Sequence, residues 1–286
     1  MFKKIAVLGV GLIGGSFALS LRRNLGIEIF GLDISQSSLK KAIEIGAIDA
    51  GSTHISDLAS FNPECVIIST PLSAAIEIAP VVLNSISENA IVSDVCSVKG
   101  EFVSSMERIF GKRFVGAHPI AGTERSGISN ADRNLFLNKL VILTPTENTD
   151  PMALRAIQKL WESLGARAEV MDPYLHDFIF GTLSHLPHAV CFALTSCAMS
   201  LLKDRELFRY SGSGFLDSTR IAASDPIMWR DIFFYNRDNL IKGLDLLIST
   251  LSSFKDLIKN DAHTELLKFL QESSSIRRSL YDHRDR

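Results

Sequence analysis

A doubly wound α/β sheet followed by an all-helical domain is the architecture predicted by this sequence of 286 residues, on three observations. Up to about residue 171, short β-branched runs alternate with helical patterns. Beyond "MDPYLHD" the strand pattern stops and apolar residues recur at helical spacing. The first strand also runs directly into a glycine-rich turn.

That turn belongs to "IAVLGVGLIGGS", where a strand leads into Gly9-x-Gly11-x-x-Gly14 and a helical pattern follows. The second strand, "EIFGLD", ends in Asp33, 19 positions beyond Gly14. "CVIIST", "AIVSDV", "FVGAH", "LVILTP" and "AEVMD" then complete a parallel sheet covered on both faces. Together these elements predict an N-terminal Rossmann dinucleotide-binding domain over residues 1–171. Pro173 can open a helix but cannot continue a strand, so "MDPY" marks the boundary with an all-α domain over residues 172–286. In that half Leu244, Leu247, Ile248, Leu251, Phe254 and Ile258 form a helical stripe. Its apolar faces are too long for so small a domain to bury alone, which predicts an oligomer.

Composition narrows the function classes. With 30 Lys+Arg against 32 Asp+Glu, the net charge of −2 creates no field for a phosphate backbone, which argues against nucleic acid. Lysines precede an apolar stretch at the N-terminus, but four glycines interrupt it and no small-residue cleavage site follows, so it reads as strand and helix rather than a signal peptide. No later stretch approaches 18 uninterrupted apolar residues, so no membrane span is expected. Cys65, Cys96, Cys191 and Cys197 lie in apolar runs without C-x-x-C spacing, as reduced core thiols of a cytoplasmic protein would.

The glycine pattern predicts a nucleotide site. Gly9 permits the tight turn, and Gly11 permits close approach of a pyrophosphate. Gly14 lets the helix pack on the strand, so that the amides around Leu12 and Ile13 point at the phosphates. Asp33 would accept hydrogen bonds from the adenosine ribose and repel a 2′-phosphate, favouring NAD over NADP; its plain alternative is a strand-end cap. Ligands of doubly wound sheets lie at the carboxyl ends of the strands, where Ser69, Thr70, Pro71, Ser97 and His118 fall. A neutral imidazole at His118 could take a proton from a substrate hydroxyl while hydride leaves the same carbon. The alternative is a strand-end histidine bonded to a carbonyl. Ser97 could bond the same hydroxyl or cap the helix beginning near Lys99.

"HPIAGTERSG", "LVILTP", "LHDFIFGTLSHLPHAV" and "GFLDSTRIAASDPIMWRDIF", in this order, resemble the prephenate dehydrogenase family of tyrosine biosynthesis over residues 4 to 270. The resemblance implies NAD(P)-dependent oxidative decarboxylation of prephenate to 4-hydroxyphenylpyruvate, or of arogenate to tyrosine, by a homodimer. It makes His118 the catalytic base and Ser97 its partner. Arg220 becomes the carboxylate clamp, with a salt bridge to Asp217 or Asp225 as its alternative. His188 becomes a contact for the substrate side chain and His185 a neighbour in the pocket, while Glu124 and Arg125 order the loop after His118. The spacing of His185 and His188, with His176 or Asp177 nearby, also invites a metal reading, but no third ligand is convincingly spaced and hydride transfer needs none. The resemblance implies the monofunctional form, since Gly9 comes almost at once. Two rivals are weighed: a β-hydroxyacid dehydrogenase, whose G-x-x-x-K-x-x-N helix is not found, and a non-catalytic NAD-binding regulator, which would have no use for His118, Ser97 and Arg220 together.

Overall fold

A computed structural model describes residues 2–22, 26–122 and 125–282. Eight strands form one sheet: β1 (Lys4–Leu8), β2 (Glu28–Leu32), β3 (Ala50–Ser52), β4 (Cys65–Ile68), β5 (Ile91–Asp94), β6 (Phe114–Pro119), β7 (Leu140–Thr144) and β8 (Arg167–Val170). Their order is β3-β2-β1-β4-β5-β6-β7-β8. Helices α1 (Leu12–Leu21), α2 (Gln36–Glu44), α3 (Leu58–Phe61), α4 (Leu72–Asn84), α5 (Gly100–Phe110) and α6 (Pro151–Ser163) connect them. The chain falls into two compact units, Met1–Arg237 and Asp238–Arg286.

Successive residues of β1 point to opposite faces of the sheet, which builds two cores. Ile5 and Val7 pack with Phe17 of α1 and Trp161 of α6, while Ala6 and Leu8 join Ala75 of α4 and Phe102 of α5.

The expected all-parallel sheet is corrected at one edge. β7 runs antiparallel to β6, whereas β8 is parallel to β7. Between β6 and β7 the described residues contain no α-helix to carry a crossover, only a 3₁₀ turn at Ile128–Asn130, and an antiparallel partner needs none. β8 is largely exposed, so it is not covered on both faces. The unpredicted β3 is a short edge strand, Ala-Gly-Ser, with no β-branched residue to signal it.

After β8, the unit up to Arg237 continues with α7 (Pro173–Phe180), a π-helical turn over Gly181–His185, α8 (Leu186–Leu202), α9 (Ser213–Thr219) and α10 (Pro226–Tyr235). The change to helix comes where Pro173 predicts it. The Asp172 side chain accepts from the amides of Tyr174 and Leu175, both at 2.9 Å. Asp150-Pro151 and Asp225-Pro226 open α6 and α10 in the same way. The π-turn lies immediately before Leu186-Pro187, where an ordinary turn would meet the proline ring and its missing donor. Trp229 and Ile232 of α10 bury themselves in the second sheet core.

Two expectations need amendment here. Pro173–Leu202 is 30 residues long and, by length and composition alone, apolar enough to cross a membrane, because polar residues interrupt a run without abolishing its mean hydropathy. Cys65, Cys96 and Cys191 are buried thiols, but Cys197 lies exposed on α8. In the unit from Asp238 onward, α11 (Arg237–Lys259) and α12 (His263–Asp282) meet through Phe254 and Phe269, whose ring centroids are 5.5 Å apart.

Candidate active site

The glycine turn is shaped by close contacts. Gly9 has φ of +89°, and a Cβ there would lie 2.5 Å from the Ser69 carbonyl oxygen. A Cβ on Gly14 would lie 2.0 Å from the Gly9 oxygen and 3.0 Å from Val7 Cγ1, so α1 sits directly on β1. A Cβ on Gly11, by contrast, would meet nothing within 4 Å, and Gly11 lines a cleft of about 360 Å³. Leu12, Ile13, Ser69, Thr70, Pro71, Ser97 and His118 line it too. Asp33 Oδ2 accepts from the Val10 amide at 3.0 Å and Oδ1 from the Ser35 amide at 2.8 Å, which anchors the carboxylate beside the turn. The Thr70 hydroxyl is buried in the cleft wall with no partner among the described residues. A helix N-terminus with room above Gly11, an anchored carboxylate and an unused hydroxyl suit a dinucleotide's pyrophosphate, ribose and polar groups.

His118 is the penultimate residue of β6 and is held from α7. Its Nδ1 lies 2.8 Å from His176 Nε2, and His176 Nδ1 lies 2.8 Å from Asp177 Oδ1. Phe180 packs against both rings, its centroid 5.0 Å from that of His118 and 4.5 Å from that of His176. Burial first, then repulsion from His176, Lys99 and His185, pushes the pKa of His118 well below 6.5. The ring is therefore neutral at cellular pH, as a base must be.

Asp177 also does what was open to Ser97. Its Oδ1 accepts from the Lys99 amide at 2.7 Å and its Oδ2 from the Gly100 amide at 2.8 Å, so the N-terminus of α5 is capped from α7. The N-cap residue Lys99 makes no side-chain cap bond of its own, and Ser97 lines the cleft. Gly100 permits this approach, since a Cβ there would be 3.0 Å from Asp177 Oδ2. Lys99, fully buried, is paired with Asp94, whose Oδ1 accepts from the Ala117 amide one residue before His118. Sequence reasoning used His176 and Asp177 only in a metal reading and missed Asp94, Lys99 and Asn236. The available signal was the adjacent His-Asp pair in an otherwise apolar helix.

The helical side brings together only some of the expected residues. Ser224, Asp225, Met228 and Ile232 also line the cleft. His188 stacks on Trp229 at 3.5 Å between centroids, with Nδ1 2.9 Å from the Ser184 carbonyl oxygen. Burial lowers its pKa, and Arg220 adds repulsion, which places that guanidinium within electrostatic reach of His188. Arg220 itself is exposed at the start of the 3₁₀ turn Arg220–Ala223. His185 is 1% exposed and does not line the cleft. Its Nδ1 meets Asn236 Nδ2 at 3.0 Å, and burial depresses its pKa to about 4. Both rings of the H-x-x-H pair meet Trp229, His188 stacked on it and His185 edge-on at 6.0 Å, while only His185 also bonds Asn236. Glu124 lies outside the described residues; Arg125 lines the cleft.

A cleft equipped in this way, at the carboxyl ends of a doubly wound sheet, defines a Rossmann-type dinucleotide-dependent dehydrogenase. Comparison with known proteins narrows the class. Residues 17–170 match the family model of the prephenate dehydrogenase nucleotide-binding domain, and residues 172–272 that of the prephenate dehydrogenase dimerization domain. The chain is 32% identical to prephenate dehydrogenase of Bacillus subtilis over 96% of its own length and 76% of that protein's. Among solved structures, it is similar to prephenate dehydrogenase from Aquifex aeolicus in complex with hydroxyphenyl propionate and NAD+, with a TM-score of 0.93, 45% identity and coverage of 98% and 99% of the two chains. Against Synechocystis arogenate dehydrogenase the TM-score is 0.80 and the identity 33%, covering 96% and 98%. The chain belongs to the prephenate dehydrogenase family.

Proposed function

We propose that this protein catalyses the NAD-dependent oxidative decarboxylation of prephenate to 4-hydroxyphenylpyruvate in tyrosine biosynthesis, in the cytoplasm. The observation that carries the reading is His118: a neutral imidazole on the wall of the same cleft as Gly11, with Nδ1 engaged and Nε2 left for a substrate. Prephenate is a cyclohexadiene with a ring hydroxyl, a ring carboxylate and a pyruvyl side chain. Losing hydride from the hydroxyl-bearing carbon lets carbon dioxide depart and the ring become aromatic, so the protein mainly orients groups and accepts one proton. NAD, when bound, supplies the hydride acceptor. Gly9, Gly11, Leu12, Ile13 and Gly14 form its pyrophosphate turn, Asp33 takes the ribose, and Ser69, Thr70 and Pro71 border it.

In this reading His118 accepts the hydroxyl proton and Ser97 hydrogen-bonds the same oxygen and orients it. Arg220 clamps a substrate carboxylate, and His188, held flat by Trp229, meets the side chain. His185 supports the pocket from behind through Asn236, and Glu124 orders the loop after His118. The functional division follows residues 1–171 and 172–286, with the later helices pairing two copies. Exposed Leu175, Phe178, Leu183, Leu194 and Leu201 along Pro173–Leu202 support a protein-covered surface there. The helix is docked at its N-terminal end through His176 and Asp177, an arrangement suited to a dimer rather than a bilayer.

Mixing protein, NAD and prephenate should produce reduced-nicotinamide absorbance; its absence would overturn the assignment. A second substrate, arogenate, is favoured by the likeness to the Synechocystis enzyme. It differs from prephenate by an amino in place of a keto group, and comparing kcat/KM on both decides between them. Sedimentation should give a dimer at micromolar concentration, and a monomer would refute the pairing.

A further inference from the structure

We infer that His176 and Asp177 are positioning residues for the proton transfer: Asp177, acting through His176, fixes His118 as the Nδ1–H tautomer and so presents Nε2 as the base. The inference deepens the proposed function and rests on it for the reaction, but the tautomer itself can be observed without turnover.

A chain of hydrogen bonds runs from Asp177 through His176 to His118. Its carboxylate already accepts from the amides of Lys99 and Gly100, at 2.7 and 2.8 Å, and these donors have no other role to play toward it. The group 2.8 Å away at His176 Nδ1 must then donate as well. A neutral His176 with its proton on Nδ1 has only a lone pair at Nε2. His118 Nδ1, 2.8 Å from that lone pair, must carry a hydrogen. The lone pair of His118 therefore sits on Nε2, away from α7. Had the tautomers been reversed, either a lone pair would face the carboxylate or two lone pairs would face each other across 2.8 Å.

The surroundings hold this arrangement rigid. His176 is fully buried and Asp177 is 4% exposed, and Phe180 packs on both imidazoles. The charged and titratable groups facing the two rings are Asp177 from α7, His185 from the π-turn, and the Lys99–Asp94 pair from the β5–α5 junction. Burial first of all lowers the pKa of His176, in keeping with the neutral ring that the scheme requires. When the substrate hydroxyl gives its proton to His118 Nε2, the His118 Nδ1 proton can pass to His176 Nε2. The cation then rests on His176, against the Asp177 carboxylate, and Asp177 itself stays unprotonated. After product leaves, the proton returns to His118 and is lost from Nε2 to water. Opposing this, Lys99 repels a cation on either ring, and its pairing with Asp94 offsets that repulsion.

Two measurements test the inference. In histidine-labelled full-length protein at neutral pH, imidazole nitrogen NMR should show His118 protonated at Nδ1 and bare at Nε2. The opposite tautomer would overturn the proposal whether or not prephenate is the substrate. In kinetics, His176→Phe keeps the ring packing but removes the acceptor. We expect kcat to fall on the order of 10²-fold, with KM for substrate and Kd for NAD within about threefold. His176→Gln, whose carbonyl oxygen can accept the His118 Nδ1–H, should recover part of kcat. A His176→Phe variant that retained kcat within about threefold, or a His176→Gln variant that recovered no kcat over His176→Phe, would reduce His176 to a packing residue. If His176→Phe did not fold, His176→Gln with the tautomer measurement would decide the matter. Absence of any prephenate turnover in the wild type would sink the proposed function and leave the tautomer result standing.

Discussion

Gly11 and Gly14 are only three positions apart, yet alanine at each should fail in a different way. In Gly14→Ala the new Cβ would be built 2.0 Å from the Gly9 carbonyl oxygen and 3.1 Å from Ser69 Cβ. Non-bonded carbon contacts settle near roughly 3.5–4.0 Å, so α1 must lift off β1 by about 1 Å or more. Neither neighbour is the flexible end of a side chain. Overpacking of this kind costs about 1–3 kcal/mol, which in a unit of this size lowers Tm by about 2–10 °C. The lifted amides no longer converge on the pyrophosphate, so NAD binding falls too. In Gly11→Ala the Cβ meets nothing within 4 Å, and the φ of −75° is open to alanine. The Tm without NAD should change by no more than about 2 °C, the small cost of a poorer N-cap. The methyl group does occupy the space above the helix N-terminus, and NAD affinity should fall at least tenfold, about 1.4 kcal/mol. Calorimetric titration with NAD, beside thermal unfolding of the free proteins, measures both quantities. Wild-type NAD affinity in Gly11→Ala would refute the placement of the dinucleotide, and an unchanged Tm in Gly14→Ala would refute the packing argument.

Four further outcomes are expected. His118→Asn should lower kcat by about 10² to 10⁴ with NAD binding intact, and because burial holds the His118 pKa well below 6.5, wild-type kcat/KM should stay level down through pH 6.5 and decline only in more acidic solution. A decline beginning above pH 7 would contradict this. Arg220→Ala should raise KM for prephenate by an amount corresponding to about 2–5 kcal/mol while sparing NAD, and Arg220→Lys should rescue it only in part; weakened NAD with normal prephenate kinetics would remove Arg220 from the substrate site. Asp33 should make NADP at least tenfold poorer than NAD in kcat/KM, and equal use of the two would contradict the role given to its carboxylate. His185, with a folded pKa of about 4 against about 6.5 in the unfolded chain, is neutral in both states above pH 6.5. Between pH 6.5 and 4 only the unfolded chain takes the proton, so stability should fall on acidification by up to the order of 3 kcal/mol. His185→Asn, which keeps an acceptor for Asn236, should flatten that part of the urea-unfolding profile; an unchanged slope would rule His185 out as its source.

What this sequence determined by itself was whatever depends on neighbours along the chain. The Gly9–Gly14 turn, the alternation of β1, the Asp172-Pro173 helix start and the placing of His118 at a strand end are all local. Each is set by backbone freedom, side-chain period or a cap two or three residues away. The same reasoning failed where local signals were weak. β3 has no β-branched residue, and the direction of β7 depends on what its connection can span rather than on its own composition. Tertiary structure alone decided what surrounds His118. Asp177 is 59 positions from that ring in the chain, and its carboxylate reaches back to the amides of Lys99 and Gly100, 78 and 77 positions away. Asn236 then ties the Asp177 carbonyl to His185. No pattern in sequence could show that Asp177 rather than Ser97 caps α5, or that His185 faces Asn236 and not the cleft. Those pairings exist because packing α7 and α10 on the sheet removes the polar groups from water, and each buried donor and acceptor must then find its partner in whichever segment lies against it.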